Sequence, residues 1–330
     1  MDTQKLVDGS YNNYVFNGFI ISFIITSFFL IIGIPILRKI NFGQSIREDG
    51  PQSHLIKQGT PTMGGLIIVI GFSISLILIG IINLKLKVYD ILKLLIPCYI
   101  YLLIGFIDDF LIIIKKNNKG ISPKFKIGLQ ILGLLLYYLI FLKNHNTIVN
   151  LYFTKIDLNK FYFLFVLLIY VSCTNAVNLT DGLDGLASGL LIIAFIGTLV
   201  LGLLKENLQI TLYSSCLIAS LLAFLIFNFN PAKIFMGNAG SLMFGSILAT
   251  QFVLLEEEMM LLIIAFVFII ETLSVIIQVT YFKITKGKRI FLMAPLHHHY
   301  EKKGNSEVMV DLLFWIFGLL ALMMLLIAIL

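Results

Sequence analysis

The chain has 330 residues, of which 59% are hydrophobic and only 13% are charged, and its mean hydropathy is +0.98. This balance excludes a soluble globular protein and is typical of a protein with many membrane-spanning helices. The net charge of +6 does not indicate nucleic-acid binding, because no Lys/Arg-rich run is interleaved with aromatic residues. Cys98, Cys173 and Cys216 lie at unrelated spacings in apolar segments, which predicts free thiols and no disulfide or zinc site.

Ten apolar segments are long enough to span a bilayer, for which about 17–25 residues are needed. In chain order they are 15–37, 62–83, 91–107, 125–142, 161–177, 183–203, 210–227, 239–255, 260–282 and 311–330. The loop from Lys283 to Val310 is the longest, and it is too short to form a separate domain. We therefore predict an all-α polytopic membrane protein with about ten transmembrane helices and one integral membrane domain over residues 1–330.

The distribution of basic residues predicts the orientation of these spans. The loops after the odd-numbered spans contain 15 Lys and Arg residues, whereas the N-terminus and the loops after the even-numbered spans contain 7. Basic loops stay in the cytoplasm, so the odd loops are predicted to be cytoplasmic and both termini external.

Polar segments that differ from ordinary loops occur at every odd loop and at no even one. They are "KQGTPTMGG" (57–65), "DD" (108–109), "NLTDGLDG" (178–185), "NFNPAKIFMGNAGS" (228–241) and "APLHHHYEKKG" (294–304). The external "EEE" at 256–258 is interpreted as a solvated turn. One site assembled at the cytoplasmic face explains this pattern.

The acidic residues in these segments suit a site for Mg²⁺ and phosphate. Asp108 and Asp109 end an apolar helix, where they repel each other and face the negative end of the helix dipole. A Mg²⁺ ion shared with substrate phosphates would offset both effects; the alternative is a helix end with hydrated carboxylates. Asp181 and Asp184 share roughly one helical face with Asn178 and favour a polar ligand, although either could be a helix cap.

The basic and intramembrane residues leave more than one interpretation open. Lys57 would supply charge to a phosphate, or it is simply solvated. Three consecutive histidines cannot all bind one ion from a regular element, so a single functional histidine in "HHH" is expected. Glu271, in the middle of span 9, forms a polar stripe with Ser274 and Gln278 that is either functional or an interhelical hydrogen-bonding row. No Walker A or kinase motif is present, which argues against ATP hydrolysis.

The segments "GFIDDF", "NAVNLTDGLDGLASG", "NPAKIFMGNAGS" and "APLHHHYE" resemble, in order, the polyprenyl-phosphate N-acetylhexosamine-1-phosphate transferases. The last segment and "KQGTPTMGG" are similar to the muramoyl-pentapeptide branch of that family. The resemblance covers residues 42–304 and implies a Mg²⁺-dependent enzyme of the bacterial inner membrane. Such an enzyme transfers phospho-MurNAc-pentapeptide from its UDP carrier to undecaprenyl phosphate, releases UMP and forms lipid I for peptidoglycan biosynthesis. It is compatible with a homodimer.

The resemblance also implies roles for individual residues. Asp108, Asp109 and His297 match catalytic positions. The positions that match the nucleotide-sugar cleft are Lys57, Thr62, Asn178, Asp181, Asp184, Asn228, Gln278 and His298, together with Phe235, which matches the aromatic that stacks on uracil. Asn238 stands where the family has an aspartate that binds Mg²⁺ with Asp108 and Asp109.

Because Asn offers a neutral oxygen where Mg²⁺ favours an anionic one, we expect Asn238 to weaken metal binding and activity, unless another acid such as Asp181 binds the metal. Two alternatives to the transferase function were considered. A sibling transferase would use UDP-GlcNAc, and it is disfavoured by "HHHYE" and "GTPTMGG". A transporter would place its ligand groups near the bilayer midplane, commonly within paired repeats, whereas here the polar segments gather at one face and no internal repeat is visible.

Overall fold

The structure, a computed structural model, describes residues 10–40, 57, 59–84, 86–115, 120–151 and 153–329. Gln58 of the segment 57–65 and Leu330 of the last predicted span lie outside these residues. The α-helices are α1 Ser10–Lys39, α2 Gly64–Ile77, α3 Val88–Lys115, α4 Pro123–Tyr137, α5 Tyr162–Thr180, α6 Leu186–Leu204, α7 Leu208–Asn228, α8 Gly237–Leu254, α9 Met260–Ile264, α10 Phe266–Ile284, α11 Leu296–Lys302 and α12 Glu307–Ile329. Two π-helical segments, Leu78–Asn83 and Tyr138–Leu142, continue α2 and α4.

Each predicted span coincides with a helix, and the ninth is divided into α9 and α10 at Ala265. Within the described ranges, nine helices are long and apolar enough to cross a membrane. The remaining predicted span is α8, which carries Asn238 and Gln251 among its apolar residues. The prediction of an all-α polytopic membrane protein is confirmed.

Helix α8 lies at the centre of the bundle, where every residue from Ala239 to Val253 is buried. It packs against α2, α3, α5 and α6. Small residues allow this close approach: a Cβ added at Gly245 would lie 2.5 Å from Thr174 Cα, and one added at Gly240 would lie 3.1 Å from Gly65 Cα. The first turn of α8 is therefore held firmly among its neighbours.

The opposite end of the bundle carries a short antiparallel hairpin, β1 Ile148–Asn150 and β2 Lys155–Asp157, between α4 and α5. The interpretation of residues 256–258 as a solvated turn is wrong for Glu258, which is only 3% exposed. The Tyr162 hydroxyl donates a hydrogen bond of 2.6 Å to Glu258 Oε1. Burial raises the pKa of Glu258, although this hydrogen bond opposes the shift. The three cysteines are buried and free, as predicted.

Candidate functional site

The five polar segments meet at one end of the bundle, around the loop between α5 and α6. We call residues Asp181–Gly185 the central loop. Asp184 of this loop contacts Lys57, and its residue Gly182 lies against His297. The predicted gathering of these segments on one face is therefore observed among the described residues.

Asp109, near the end of α3, is bound by the first turn of α8. Its Oδ1 accepts a hydrogen bond of 3.1 Å from the Asn238 N–H, and its Oδ2 accepts one of 3.0 Å from the Ala239 N–H. The positive end of a helix dipole favours a carboxylate at this place. Gly105, one turn earlier on α3, makes the approach possible, because a Cβ there would lie 2.5 Å from the carbonyl carbon of Asn238.

Asp108 faces the start of α4 and is paired with a lysine. Lys126 Nζ lies 2.9 Å from Asp108 Oδ2, and the Ile121 N–H donates to Oδ1 at 2.6 Å. Lys126 also donates a longer hydrogen bond, 3.4 Å, to Asn178 Oδ1. Because both acids are 5% exposed, they are not the hydrated helix end that was the alternative. Each carboxylate of the pair has its own protein partner, as expected for residues about 100° apart on a helix.

Asn178 connects this acidic pair to α8. Its Nδ2 donates to Asn238 Oδ1 at 2.6 Å and to Ser241 Oγ at 2.8 Å. Asn178 and Asn238 therefore lie together beside Asp108 and Asp109.

Asp184 is the centre of a second group of charges. Its Oδ1 lies 2.7 Å from Lys57 Nζ, and its Oδ2 accepts a hydrogen bond of 2.9 Å from the Ala232 N–H. Lys57 also bonds Glu307 at the start of α12, and Asn230 donates to both carboxylates. Neither solvation of Lys57 nor simple helix capping by Asp184 describes these contacts. The ion group joins four separate segments of the chain.

Asp181, at the start of the central loop, has no hydrogen-bond donor to its carboxylate among the described residues. Burial raises the pKa of Asp181 to about 8, and the neighbouring carboxylates of Asp109 and Asp184 contribute in the same direction. The carboxylates of Asp109, Asp181 and Asp184 therefore lie close enough to repel one another. Such an arrangement suits a cation or a proton.

His297 and Glu271 form a buried pair, and both side chains are 0% exposed. Glu271 Oε1 accepts the His297 backbone N–H, and Oε2 lies 3.1 Å from His297 Nδ1. His298 instead pairs with Glu301 at 2.7 Å. Among the described residues Ser274 bonds the Glu271 carbonyl of its own helix. Of the predicted polar stripe, Glu271 alone connects α10 to another helix, through His297 of α11.

Two of the remaining predicted cleft residues, Gln278 and Asn228, bond the backbone through their side chains. The Gln278 amide bonds Phe291 O and the N–H groups of residues 290 and 291, which fixes the segment before His297. The Asn228 side chain accepts from the Gly185 N–H and donates to Ile234 O. Phe235 is half-buried, and its own N–H and carbonyl pair with Pro61 and Gly64. Thr62 is 5% exposed, and its Oγ1 and Asp109 Oδ2 would both lie 2.7 Å from a Cβ at Gly237.

The donor chemistry of the site suits a hard cation, although the described residues hold no preformed metal cage. No group of three or more His, Cys, Asp or Glu side chains in the described ranges is arranged to hold a metal ion. Both oxygens of Asp108 are occupied by Lys126 and Ile121. The two oxygens of Asp109 likewise accept the N–H groups of Asn238 and Ala239, and Asn238 Oδ1 accepts Asn178 Nδ2. The Asp181 carboxylate has no hydrogen-bond donor among the described residues, and a carboxylate is the type of ligand that Mg²⁺ prefers.

Comparison with known proteins assigns the family. Residues 57–69 match the phospho-N-acetylmuramoyl-pentapeptide-transferase signature 1, and residues 91–256 match glycosyl transferase family 4. The phospho-N-acetylmuramoyl-pentapeptide-transferase of Staphylococcus carnosus is 46% identical over 307 residues, which are 91% of this chain and 95% of the relative. The Halalkalibacterium halodurans protein of the same name is 45% identical, over 92% and 94% of the two chains. That of Listeria welshimeri is 43% identical over 91% and 94%.

The chain belongs to the phospho-N-acetylmuramoyl-pentapeptide-transferase family. It is a multi-pass membrane transferase, and the transporter alternative is set aside. The resemblance stated on the sequence motifs is confirmed. The signature begins at Lys57, which is also the residue that reaches Asp184 and Glu307 across the site.

Three residues of this transferase site were not predicted. Lys126 lies at the start of the predicted span 125–142 and was given no role, yet it pairs with Asp108. Glu307 and Asn230 join the ion group of Lys57. One sequence feature could have indicated the Lys126 pairing. Lys126 lies in the first turn of α4, the helix that follows α3, and the end of α3 carries two acids, Asp108 and Asp109, for which the sequence assigned no basic partner.

Proposed function

We propose that the chain transfers phospho-MurNAc-pentapeptide from UDP-MurNAc-pentapeptide to undecaprenyl phosphate, forming lipid I and releasing UMP in peptidoglycan biosynthesis. One observation carries the proposal: in this member of the transferase family, the Lys126–Asp108 pair and the Lys57–Asp184 group flank the central loop. A substrate with a diphosphate between nucleoside and sugar requires such charged groups. The lipid phosphate oxygen attacks the sugar-linked phosphorus, and the bond from that phosphorus to the bridging oxygen of UMP breaks.

The two charge groups take different parts of the substrate. Lys57, held at 2.7 Å from Asp184, binds the nucleotide end of the substrate together with Asn228 and Phe235. Lys126, held at 2.9 Å from Asp108, brings positive charge to the phosphates being exchanged, where preorganised charge stabilises a transition state most effectively.

The reaction is proposed to depend on Mg²⁺. Asp109, Asp181 and the Asn238 side-chain oxygen would hold the ion, and a bound divalent cation neutralises developing charge on phosphate oxygens. The site is proposed to face the cytoplasm of a bacterial inner membrane, with both termini external, because 15 of the 22 Lys and Arg residues outside the predicted spans lie in the odd loops.

The test is UMP release by the purified protein with undecaprenyl phosphate, Mg²⁺ and one of two donors. We expect UMP from UDP-MurNAc-pentapeptide and none from UDP-GlcNAc. Asp109→Asn should abolish release, whereas Asp157→Asn, on the hairpin at the other end of the bundle, should not change it. Release from UDP-GlcNAc alone would assign the sibling reaction, and release from neither donor would reject the proposal.

A further inference from the structure

Glu271 has no role in the transferase reaction proposed above, yet it is a buried acid in the second turn of α10. We propose that Glu271 is a positioning residue: it holds the His297 imidazole so that its Nε2 atom faces the central loop as a hydrogen-bond acceptor. This inference rests on the proposed function only in that His297 is expected to serve that reaction.

Among the described residues, the Glu271 carboxylate has one partner residue, His297, and two contacts with it. Its two carboxylate oxygens accept the backbone N–H of His297 and face the ring Nδ1, each at 3.1 Å. The backbone N–H belongs to the first turn of α11, where a carboxylate is favoured by the helix dipole. The same side chain therefore fixes both the start of α11 and the rotation of the imidazole ring.

This contact also selects the position of the ring proton. An ionised carboxylate has no proton to donate, so the hydrogen bond at Oε2 requires the proton on Nδ1. In neutral His297, Nε2 is then a bare acceptor. A carboxylate or carbonyl behind a functional histidine sets the tautomer and ring orientation in the same way elsewhere.

The Nε2 atom is buried and has no hydrogen-bond partner among the described residues. Buried polar atoms without partners are rare, and each one needs an explanation such as a catalytic role. Nε2 points at Gly182, between Asp181 and Asp184, and a Cβ at Gly182 would overlap the imidazole, with 2.9 Å left to Cε1 and less to Nε2. The only residue that leaves room for this ring position is glycine, so the acceptor is kept against the loop that carries two site acids.

A merely structural role for Glu271 does not account for this arrangement. Holding α11 requires only the backbone hydrogen bond, and the amide side chain of the Glu271→Gln variant would supply that acceptor. With its single oxygen on the His297 N–H, the amide in this variant would turn its NH₂ group to Nδ1. That group donates, so the ring proton would move to Nε2 and the acceptor beside Gly182 would be lost.

The experiment compares the full-length protein with Glu271→Gln, Glu271→Asp and the control Glu258→Gln, a buried glutamate bonded to Tyr162 at the other end of the bundle. Nitrogen-15 NMR of the histidine rings reports which nitrogen of His297 is protonated, and it does not depend on activity. UMP-release kinetics give kcat and KM separately.

We expect Nδ1 to carry the proton in the wild type and Nε2 to carry it in Glu271→Gln. The kcat of Glu271→Gln should fall by between about 10-fold and about 10,000-fold, with little change in KM. Glu271→Asp should recover part of this loss. The control Glu258→Gln should keep the wild-type kcat. An identical His297 tautomer in the wild type and Glu271→Gln would overturn the inference, as would a kcat loss no larger than that of Glu258→Gln. Wild-type protein that releases no UMP would reject the proposed function, and the tautomer comparison would still decide the positioning role.

Discussion

The close approach of α3 and α8 at Gly105 gives the sharpest mutational prediction. A methyl group there would lie 2.5 Å from the Asn238 carbonyl carbon and 2.6 Å from Ala239 Cα. Because carbon atoms pack at about 3.5–4.0 Å, Gly105→Ala requires α8 to retreat by about 1 Å. The hydrogen bonds of 3.1 and 3.0 Å from Asn238 and Ala239 to Asp109 would then exceed ordinary hydrogen-bond length.

Two consequences are expected of this displacement. Overpacking costs about 1–3 kcal/mol, which should lower the melting temperature. Misplacing Asp109 by about 1 Å should reduce UMP release about 100-fold. The matched control is Gly128→Ala on the exposed face of α4, where an added Cβ meets nothing within 4 Å; that variant should keep its activity and gain up to about 1 kcal/mol of helix stability. If Gly105→Ala turns over as fast as Gly128→Ala, the coupling of Asp109 to α8 does not matter for the reaction.

Three further predictions test separate parts of the site. Lys57→Met leaves the Asp184 carboxylate without its cation and removes one partner of Glu307. It should destabilise the protein by about 3–5 kcal/mol and raise the KM for the nucleotide donor. Glu307→Gln should be milder because Lys57 keeps Asp184, and equal effects in both variants would contradict the ion group. Asn238→Asp keeps the acceptor for Asn178 and adds a charge, so turnover should rise and less Mg²⁺ should be needed. An unchanged Mg²⁺ titration would contradict the role of residue 238 as a metal ligand. Because the folded pKa of Asp181 is about 8 and its unfolded pKa is about 3.9, the folded state holds the proton more tightly. Melting temperatures in metal-free buffer should therefore fall as pH rises from 4 through 8, and a wild-type slope equal to that of Asp181→Asn would exclude this assignment.

The helices were predictable because the bilayer requires long apolar segments, and this constraint acts on the sequence directly. The Lys and Arg counts of the loops, and the occurrence of the five polar segments at the odd loops, were enough to predict that these segments lie on one face. Even α8, whose residues 239–253 are all buried, was identified, because residues 239–255 form an apolar segment of spanning length. The hairpin at 148–157 was not predicted, since two strands of three residues leave no periodic pattern to detect.

Partner choice within the site was not predictable from the sequence. Lys126 and Glu307 reach Asp108 and Lys57 only because α4 and α12 pack where they do. Gln278 was expected to line the cleft, but its amide is occupied by the backbone at residues 290 and 291. The Glu258 carboxylate was expected in solvent, and the Tyr162 hydroxyl, 96 residues earlier in sequence, accounts for its burial. Each of these contacts depends on side-chain direction after folding and not on local spacing.

The most direct test of the transferase function measures both products in one reaction. Purified protein is incubated with UDP-MurNAc-pentapeptide, undecaprenyl phosphate and Mg²⁺, and UMP and the lipid fraction are quantified by mass spectrometry. The proposed reaction predicts equal molar amounts of UMP and of MurNAc-pentapeptide joined to undecaprenyl through a diphosphate. UMP without the lipid-linked product would show hydrolysis of the donor, and the absence of both products from correctly folded protein would contradict the proposed function.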